Sequence, residues 1–155
     1  MDETDIRLVE LLQKDSRVTV SQLSKELSLS RPSISERILR LQERGVIEEF
    51  TARISLPAIG RDVIMFIQLG SLKLPIKQVE DTLSQDADIL ECHRVTGPFD
   101  YVIKAAVSGM NGMRSIIDRL MPLGDINTAV VLSSPVANRH VKHTGKKPFG
   151  EQTST

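Results

Sequence analysis

Residues 19–44 read TVSQLSKELSLSRPSISERILRLQER, and this stretch decides the fold of the first part of the chain. Its apolar residues are spaced for two short helices, and the turn between them falls at Ser28 and Leu29. Two such helices, at about residues 20–39, are typical of a helix-turn-helix, whose second helix enters the major groove of DNA. Along one line of that second helix lie Ser33, Arg37, Arg40 and Arg44.

Local capping signals set the beginnings of the helices. Thr19 begins the first helix of the pair, because its hydroxyl can accept from the Gln22 amide while the Gln22 side chain reaches back. Ser30 can cap the second helix in the same way. An earlier amphipathic helix is predicted over residues 2–14, with Asp2 as its N-cap. The core side of the second helix is predicted to hold Ile34, Ile38 and Leu41.

The segment after the second helix is predicted to form a wing. Gly45 can end the helix as a C-cap. Residues 46–47 and 50–54 then have the pattern of a short β-hairpin. Residues 56–60, with their proline and glycine, form the expected linker. We therefore predict a winged helix-turn-helix domain over residues 1–60.

The second half of the chain has a different apolar period. Strands are predicted at residues 62–69, 89–96, 99–107 and 126–132, and helices at residues 75–85 and 113–121. This βαββαβ order is that of a ferredoxin-like domain, predicted over residues 61–137. The helices would cover one face of its sheet. Since Val63, Met65 and Ile67 cannot all face water on the other face, we expect a partner subunit there.

Composition narrows the class of protein. The chain has 155 residues, 40% hydrophobic residues and a formal net charge of zero. Any DNA-binding surface must therefore be a local stripe of cations. The chain has one cysteine, no apolar run near the ~20 residues that span a membrane, and no secretion leader, which together predict a cytoplasmic, nucleoid-associated protein. Residues 138–155 are predicted to form a basic, mobile tail, in which Lys142, Lys146 and Lys147 would either contact phosphates or keep the tail soluble.

The residues that enzymes use are not grouped in this sequence. Cys92 and His93 are neighbours in a predicted strand, so their side chains point to opposite faces and cannot share a metal or a reaction. His140 and His143 lie in the tail without a nearby carboxylate or thiol. The chain also lacks a glycine-rich phosphate loop. We expect no catalytic residue, no metal and no cofactor.

The candidate DNA contacts lie on the second helix of the pair: Arg31, Ser33, Ser35, Arg37, Arg40 and Arg44. The arginines can reach phosphates or guanines, and the first turns of such a helix usually meet base edges. The alternative is an ordinary solvated helix face, with Glu36 and Arg40 as an i,i+4 ion pair. Glu36 could instead accept from a cytosine amine, although the salt bridge is the simpler expectation.

Three stretches together resemble one protein family. They are DETDIRLVELLQKDSR at residues 2–17, LSKELSLSRPSISERILRLQERGVIEEFTARIS at residues 23–55, and ECHRVTGPFDYVIKA at residues 91–105. The chain resembles the Lrp/AsnC family, the leucine-responsive or feast/famine transcriptional regulators. The third stretch carries the resemblance furthest, because a Gly-x-Phe-Asp-Tyr turn between two strands is not a general DNA-binding feature. Two positions depart from the family pattern, Ser28 in the helix-helix turn and Pro98 in the strand-strand turn.

The resemblance implies homodimers that pair their sheets, often assembled into tetramers or octamers. It also implies a small effector, usually an amino acid, near the turn formed by Thr96, Gly97, Phe99, Asp100 and Tyr101. Asp100 could bind the effector's ammonium group, or it could satisfy its own turn backbone. The predicted function is an effector-modulated, sequence-specific transcriptional regulator. The alternatives are an architectural DNA-packing protein without an effector and, from a different class, an enzyme similar to haem-pathway decarboxylases.

Overall fold

The computed structural model describes residues 1–145, so the predictions for Lys146, Lys147 and the rest of the tail lie outside the described residues. The chain forms two compact units. The first contains residues 1–52 together with the segment that begins at Val136, and the second contains residues 53–135.

Within residues 1–52 the chain forms three helices: α1 at Glu3–Lys14, α2 at Val20–Leu27 and α3 at Arg31–Glu43. Each begins where its capping signal predicts. The Asp2 carboxylate accepts from the Asp5 amide, the Thr19 hydroxyl accepts from the Gln22 amide, and Ser30 caps α3. These polar caps satisfy amides that the first helical turn leaves without partners.

One apolar core holds the three helices together. Its buried residues are Leu8, Leu12, Leu23, Ile34 and Leu41, and Ile38 packs against them. The predicted core side of α3 is therefore confirmed. Gly45, at φ 66°, closes α3: its amide donates to the Gln42 carbonyl at 2.9 Å, and the Val46 amide donates to the Leu41 carbonyl at 2.8 Å. This pair of bonds is a Schellman motif, which favours glycine because of the positive φ.

The predicted hairpin after α3 is wrong. The structure assigns no strand to residues 46–55. The amides of Val46 and Ile47 both donate to the Leu41 carbonyl, so they close the helix instead of pairing with a strand. A 3-10 turn at Pro57–Ile59 follows in the predicted linker.

Residues 53–135 form an α+β unit around a four-stranded sheet. Its elements, in chain order, are β1 at Val63–Gly70, α4 at Ile76–Gln85, β2 at Ile89–Arg94, β3 at Tyr101–Val107, α5 at Gly109–Leu120 and β4 at Asp125–Val130. The spatial order is β2-β3-β1-β4, and every neighbouring pair is antiparallel. The predicted βαββαβ arrangement is confirmed.

Helices α4 and α5 cover the face of β1 that carries Met65 and Ile67. The sequence predicted these residues on the other face, against a partner subunit. Met65, Ile67 and Leu69 are fully buried in one core with Val79 of α4 and Ile116 of α5. Phe66 alternates with them on the open face and is 43% exposed. Both faces of β1 are apolar, so alternation alone did not show which set the helices would cover. Within α4, Val79 and Leu83 are buried and Ile76 is exposed.

Candidate DNA interface and effector loop

The outward side of α3 carries most of the predicted DNA contacts. Arg31, Ser35, Arg40 and Arg44 are exposed, and Ser33 is half-buried at the first turn. Among residues 1–145 the guanidinium groups of Arg40 and Arg44 make no ion pair or hydrogen bond with the protein, and the expected Glu36–Arg40 pair does not form. Arg31 donates to the Ser21 hydroxyl at 3.0 Å, which links the starts of α3 and α2.

Arg37 has a different partner from the one predicted. Its Nη1 donates to the Asp2 Oδ2 at 2.7 Å and to the Asp5 Oδ1 at 2.6 Å, and its side chain is only 19% exposed. A bond from the Asp5 amide, together with the bond from Arg37, holds the pKa of Asp2 below its ordinary value. Arg37 thus ties α3 to the start of α1. Because of these bonds we do not propose Arg37 as a DNA contact.

Helical geometry explains why Arg37 points toward α1 and not toward the outward side of α3. At about 100° per residue, Arg37 lies only about 60° from Ile34 and about 40° from Leu41 around the helix axis. It therefore sits at the edge of the core and not on the outward side. The Asp-x-x-Asp spacing at the start of α1 was the signal for this contact, because a capping box places both carboxylates at one helix end.

The turn between α2 and α3 is strained at Ser28. Ser28 adopts φ 54° and ψ 39°, a left-handed conformation in which glycine is favoured. The Ser24 hydroxyl donates to the Leu29 carbonyl, and the Leu29 amide donates to the Ser24 carbonyl at 3.1 Å. These bonds fix the turn and thereby the approach of α3 to α2.

The predicted effector loop lies between β2 and β3 and is seated on the end of β1. The Val95 amide donates to the Asp100 carbonyl at 2.9 Å, which closes the loop. The Asp100 amide donates to the Leu69 carbonyl at 2.9 Å. Phe99 rests over Gly70, with its Cα 3.4 Å from the position a Cβ on that glycine would take. Gly97, at φ 122°, allows the loop to reverse with its backbone exposed.

Asp100 is half-buried in this loop. Among residues 1–145 its carboxylate makes no hydrogen bond and no ion pair with the protein. The alternative, a carboxylate that satisfies its own turn backbone, is therefore not observed. Thr96 and Gly97 are exposed beside it. A half-buried carboxylate next to exposed backbone amides can receive a ligand's ammonium group and its carboxylate together.

Tyr101 does not share this environment. Its ring is 2% exposed and belongs to the core of the sheet unit. Its hydroxyl donates to the Glu80 Oε1 at 2.8 Å. Burial and the Glu80 carboxylate raise the pKa of Tyr101 to about 12. Tyr101 supports the loop from the covered face of the sheet, and we therefore do not propose that it contacts an effector.

The raised pKa of Tyr101 gives a direct test, because this is the single tyrosine of the chain. We expect the tyrosinate absorbance of the folded protein to rise with a midpoint at about pH 12, above the ordinary pKa of 10.0. A raised pKa contributes stability that is complete below pH 10 and is lost as the pH rises through about 12. Tyr101→Phe should remove this alkaline loss. A native midpoint at the ordinary value would contradict the buried contact with Glu80.

A second ionic cluster, which sequence reasoning missed, stabilises the start of β2. Arg119 donates from Nε to the Asp86 Oδ2 at 2.8 Å and from Nη2 to the Asp88 Oδ2 at 2.7 Å. Arg61 donates to the other Asp88 oxygen at 2.8 Å. Burial opposes ionisation of Asp86, yet the bond from Arg119 keeps its pKa below the ordinary value. These contacts are all internal to the unit.

Two further surveys cover only the described part of the chain. Within residues 1–145, no group of three or more His, Cys, Asp or Glu residues is placed to hold a metal ion. None of the helices in that range has the length and apolar character that crossing a membrane requires.

Comparison with known proteins connects both candidate sites to one family. A family model for winged helix-turn-helix DNA-binding matches residues 1–48, and the model for the Lrp/AsnC ligand binding domain matches residues 63–141. The chain is 34% identical to the uncharacterized HTH-type transcriptional regulator YezC of Bacillus subtilis, over 86% of this chain and 95% of that protein. It is 32% identical to the HTH-type transcriptional regulator FL11 of Pyrococcus furiosus, over 76% and 78% of the two chains.

Solved structures share the fold. B. subtilis LrpC superimposes with a TM-score of 0.84 at 23% identity, over 90% of this chain and 99% of that one. The feast or famine regulatory protein from M. tuberculosis, complexed with L-methionine, superimposes with a TM-score of 0.82 at 25% identity, over 90% and 97%. With one unit that matches the winged helix-turn-helix model, an α+β unit that matches the Lrp/AsnC ligand binding domain and these relatives, the chain belongs to the Lrp/AsnC family of DNA-binding transcriptional regulators.

Proposed function

We propose that this protein is a homo-oligomeric, sequence-specific transcriptional regulator whose DNA binding changes when an amino acid binds at the loop of residues 95–100. The observation that supports this proposal most is that one chain carries two sets of charged side chains without protein partners. The outward side of α3 presents free arginines, and the loop presents a half-buried, unpartnered Asp100. We propose no catalytic activity. A regulator of this kind works beside the chromosome, in the cytoplasm.

The DNA side of the proposal rests on the accessible residues of α3. Arg40 and Arg44 lie on the side of α3 that the core leaves open, and Arg31 stands at its N-terminal end. The proposed contacts are Arg31, Ser33, Ser35, Arg40 and Arg44. Because the first unit carries nearly balanced charge, its affinity depends on these few cations and on the presence of a second α3 in a dimer.

We expect the double change Arg40→Ala and Arg44→Ala to weaken DNA binding at least tenfold, with no change in folding. Each lost phosphate contact should also lower the slope of log affinity against log salt by about one. Fluorescence anisotropy with a labelled duplex at several salt concentrations measures both quantities. The matched control is Arg114→Ala, an exposed arginine of the sheet unit, which removes the same type of charge elsewhere. A loss in the control as large as the loss per arginine in the α3 variant would show that only net charge matters.

The proposed effector site is supported by the geometry of the loop and by a relative that was solved with an amino acid. The M. tuberculosis relative was solved in complex with L-methionine. In this chain Asp100 can bind an ammonium group through a charge-assisted hydrogen bond, and the exposed amides near Gly97 can bind a carboxylate. Pro98 removes one amide from this loop and stiffens it, so we propose that the preferred amino acid differs from those of relatives without proline.

The proposed assembly rests on the face of the sheet that α4 and α5 leave uncovered. Ile64, Phe66 and Val102 lie on this face, beside an ion pair in which the Lys104 Nζ is 2.6 Å from the Glu91 Oε1. Apolar side chains in the middle of a sheet face favour burial against a partner. We propose a homodimer through this face, with further assembly to tetramers or octamers. Effector binding would then shift the population of assemblies, and with it the spacing of the α3 helices.

An architectural DNA-packing protein is the competing function. It predicts nearly equal affinity for every duplex sequence and no response to amino acids. Sequence discrimination and an effector response, measured separately, distinguish the two functions.

A further inference from the structure

The residues of α3 that point most directly away from the core are not its arginines. Glu36 and Leu39 each lie about 140–160° around the helix axis from both Ile34 and Leu41, the two buried residues of α3. Arg40 lies to one side of this direction, at about 100–120° from the same residues. Pro32 and Glu43, at about 160–180° from the same two buried residues, continue this outward line at its two ends, and Glu36 and Leu39 form its centre.

Both side chains are available for contact. Leu39 is 55% exposed. Glu36 is exposed, and among residues 1–145 it makes no ion pair, even though Arg40 lies one turn further along α3. The roll of α3 that exposes them is fixed on its inner side by Ile34 and Leu41 and at its flank by the Arg37 bonds to Asp2 and Asp5.

The chemistry of these two side chains selects bases in the major groove. A carboxylate can only accept, and the cytosine N4 amine is the donor that suits it, because the amine of adenine stands beside the N7 acceptor. An apolar side chain there favours the C5-methyl group of thymine. The two residues are three positions apart, about 4.5 Å along the helix, and stacked bases are about 3.4 Å apart. They can therefore reach adjacent or next-adjacent base pairs.

We propose that Glu36 and Leu39 are specificity-determining residues of α3, with Glu36 reading a cytosine and Leu39 reading a thymine one or two base pairs away. This inference rests on the proposed DNA-binding function and adds which bases the half-site contains. The flanking cations Arg31, Arg40 and Arg44 supply the affinity for phosphates, and the two central residues supply the discrimination.

Selection of bound sequences from a random duplex library tests the proposal with the full-length protein. The wild-type chain should enrich half-sites with a cytosine and a thymine at this spacing. In Glu36→Gln the preferred base at the cytosine position should change to adenine, because a glutamine can bond to N6 and N7 of adenine together. We expect a preference of about tenfold in each case. Glu43→Gln, which removes the same charge further along the exposed side of α3, should leave the enriched sequence unchanged.

The role of Leu39 is tested on the enriched duplex by replacing the thymine with uracil, which removes only the methyl group. Wild-type affinity should fall about fourfold, the value expected for one buried methyl, and Leu39→Ala should not respond. An unchanged enriched sequence in Glu36→Gln would overturn the assignment of Glu36. An equal response of wild type and Leu39→Ala to uracil would overturn that of Leu39. Failure of the wild-type chain to enrich any sequence would instead contradict the proposed regulator function itself.

Discussion

Replacing Arg37 by alanine is expected to destabilise the helical unit by about 2 kcal/mol, the cost of leaving a mostly buried carboxylate without its charged partner. Asp5 is only 6% exposed and would lose its bond to the guanidinium. The start of α1 would also lose its tie to α3. Urea unfolding followed by far-ultraviolet circular dichroism measures the loss, because this unit contributes three of the chain's helices within residues 1–145.

Two further variants show whether the ion pair is the cause. Asp5→Asn in the Arg37→Ala background should recover part of the lost stability, since a neutral amide no longer needs a cation. Arg40→Ala, an exposed arginine on the same helix, should leave the unfolding midpoint unchanged. If Arg37→Ala kept full stability and instead lost DNA affinity, Arg37 would be a DNA contact and the structural assignment would fail.

The same contact gives a dependence on pH. The pKa of Asp2 is lowered by the bond from the Asp5 amide and by the bond from Arg37. A lowered pKa in the folded state contributes stability that is present above the ordinary value of 3.8 and is lost as the pH falls through the lowered value. The free energy of unfolding of the helical unit should therefore fall less steeply with decreasing pH in Arg37→Ala than in the wild-type protein.

Replacing Asp100 by alanine is expected to reduce the stabilisation by amino acids by half or more while leaving the fold intact. An effector at about 100 times its dissociation constant should stabilise the wild-type protein by about 2.7 kcal/mol. Loss of a charge-assisted bond costs about 1.5–3 kcal/mol, which weakens binding about tenfold to 150-fold and removes about half to nine-tenths of that shift. A thermal-shift scan against each of the proteinogenic amino acids measures the effect in both proteins.

Asp118→Ala is the matched control for this scan, because Asp118 is an exposed aspartate of α5 in the same unit, with only a 3.8 Å pair to Arg114. It should keep the wild-type response. DNA affinity without effector should be the same in Asp100→Ala and wild type. A full thermal shift in Asp100→Ala would place the effector somewhere other than the loop.

Features that depend on neighbours in sequence could be predicted, and those that depend on distant contacts could not. Thr19 with Gln22, Ser30 and Gly45 set the helix ends through bonds within a few residues, so the boundaries were readable. The core side of α3 followed from its period. The partner of Arg37 lies more than thirty positions away on α1, and no pattern within α3 contains that information.

The sheet shows the same division. The βαββαβ order could be predicted from the spacing of apolar residues along the chain. Strand β1 is apolar on both faces, however, so its pattern did not indicate which face the helices cover. The hairpin after α3 was predicted from apolar residues whose amides instead close the helix. Tyr101 belongs to the family's turn in sequence, yet it begins β3 and its alternation places it in the core. The resemblance identified the loop, and the structure separated its exposed residues from its buried support.

The central claim is that one chain couples an amino-acid site at residues 95–100 to DNA binding by α3. The most direct test is the affinity of the full-length protein for its selected duplex, measured with and without a mixture of the proteinogenic amino acids. The account predicts a change of at least about fivefold in wild type, the lower end of typical allosteric coupling, and no change in Asp100→Ala. Equal affinities in the wild-type protein with and without the mixture would contradict it.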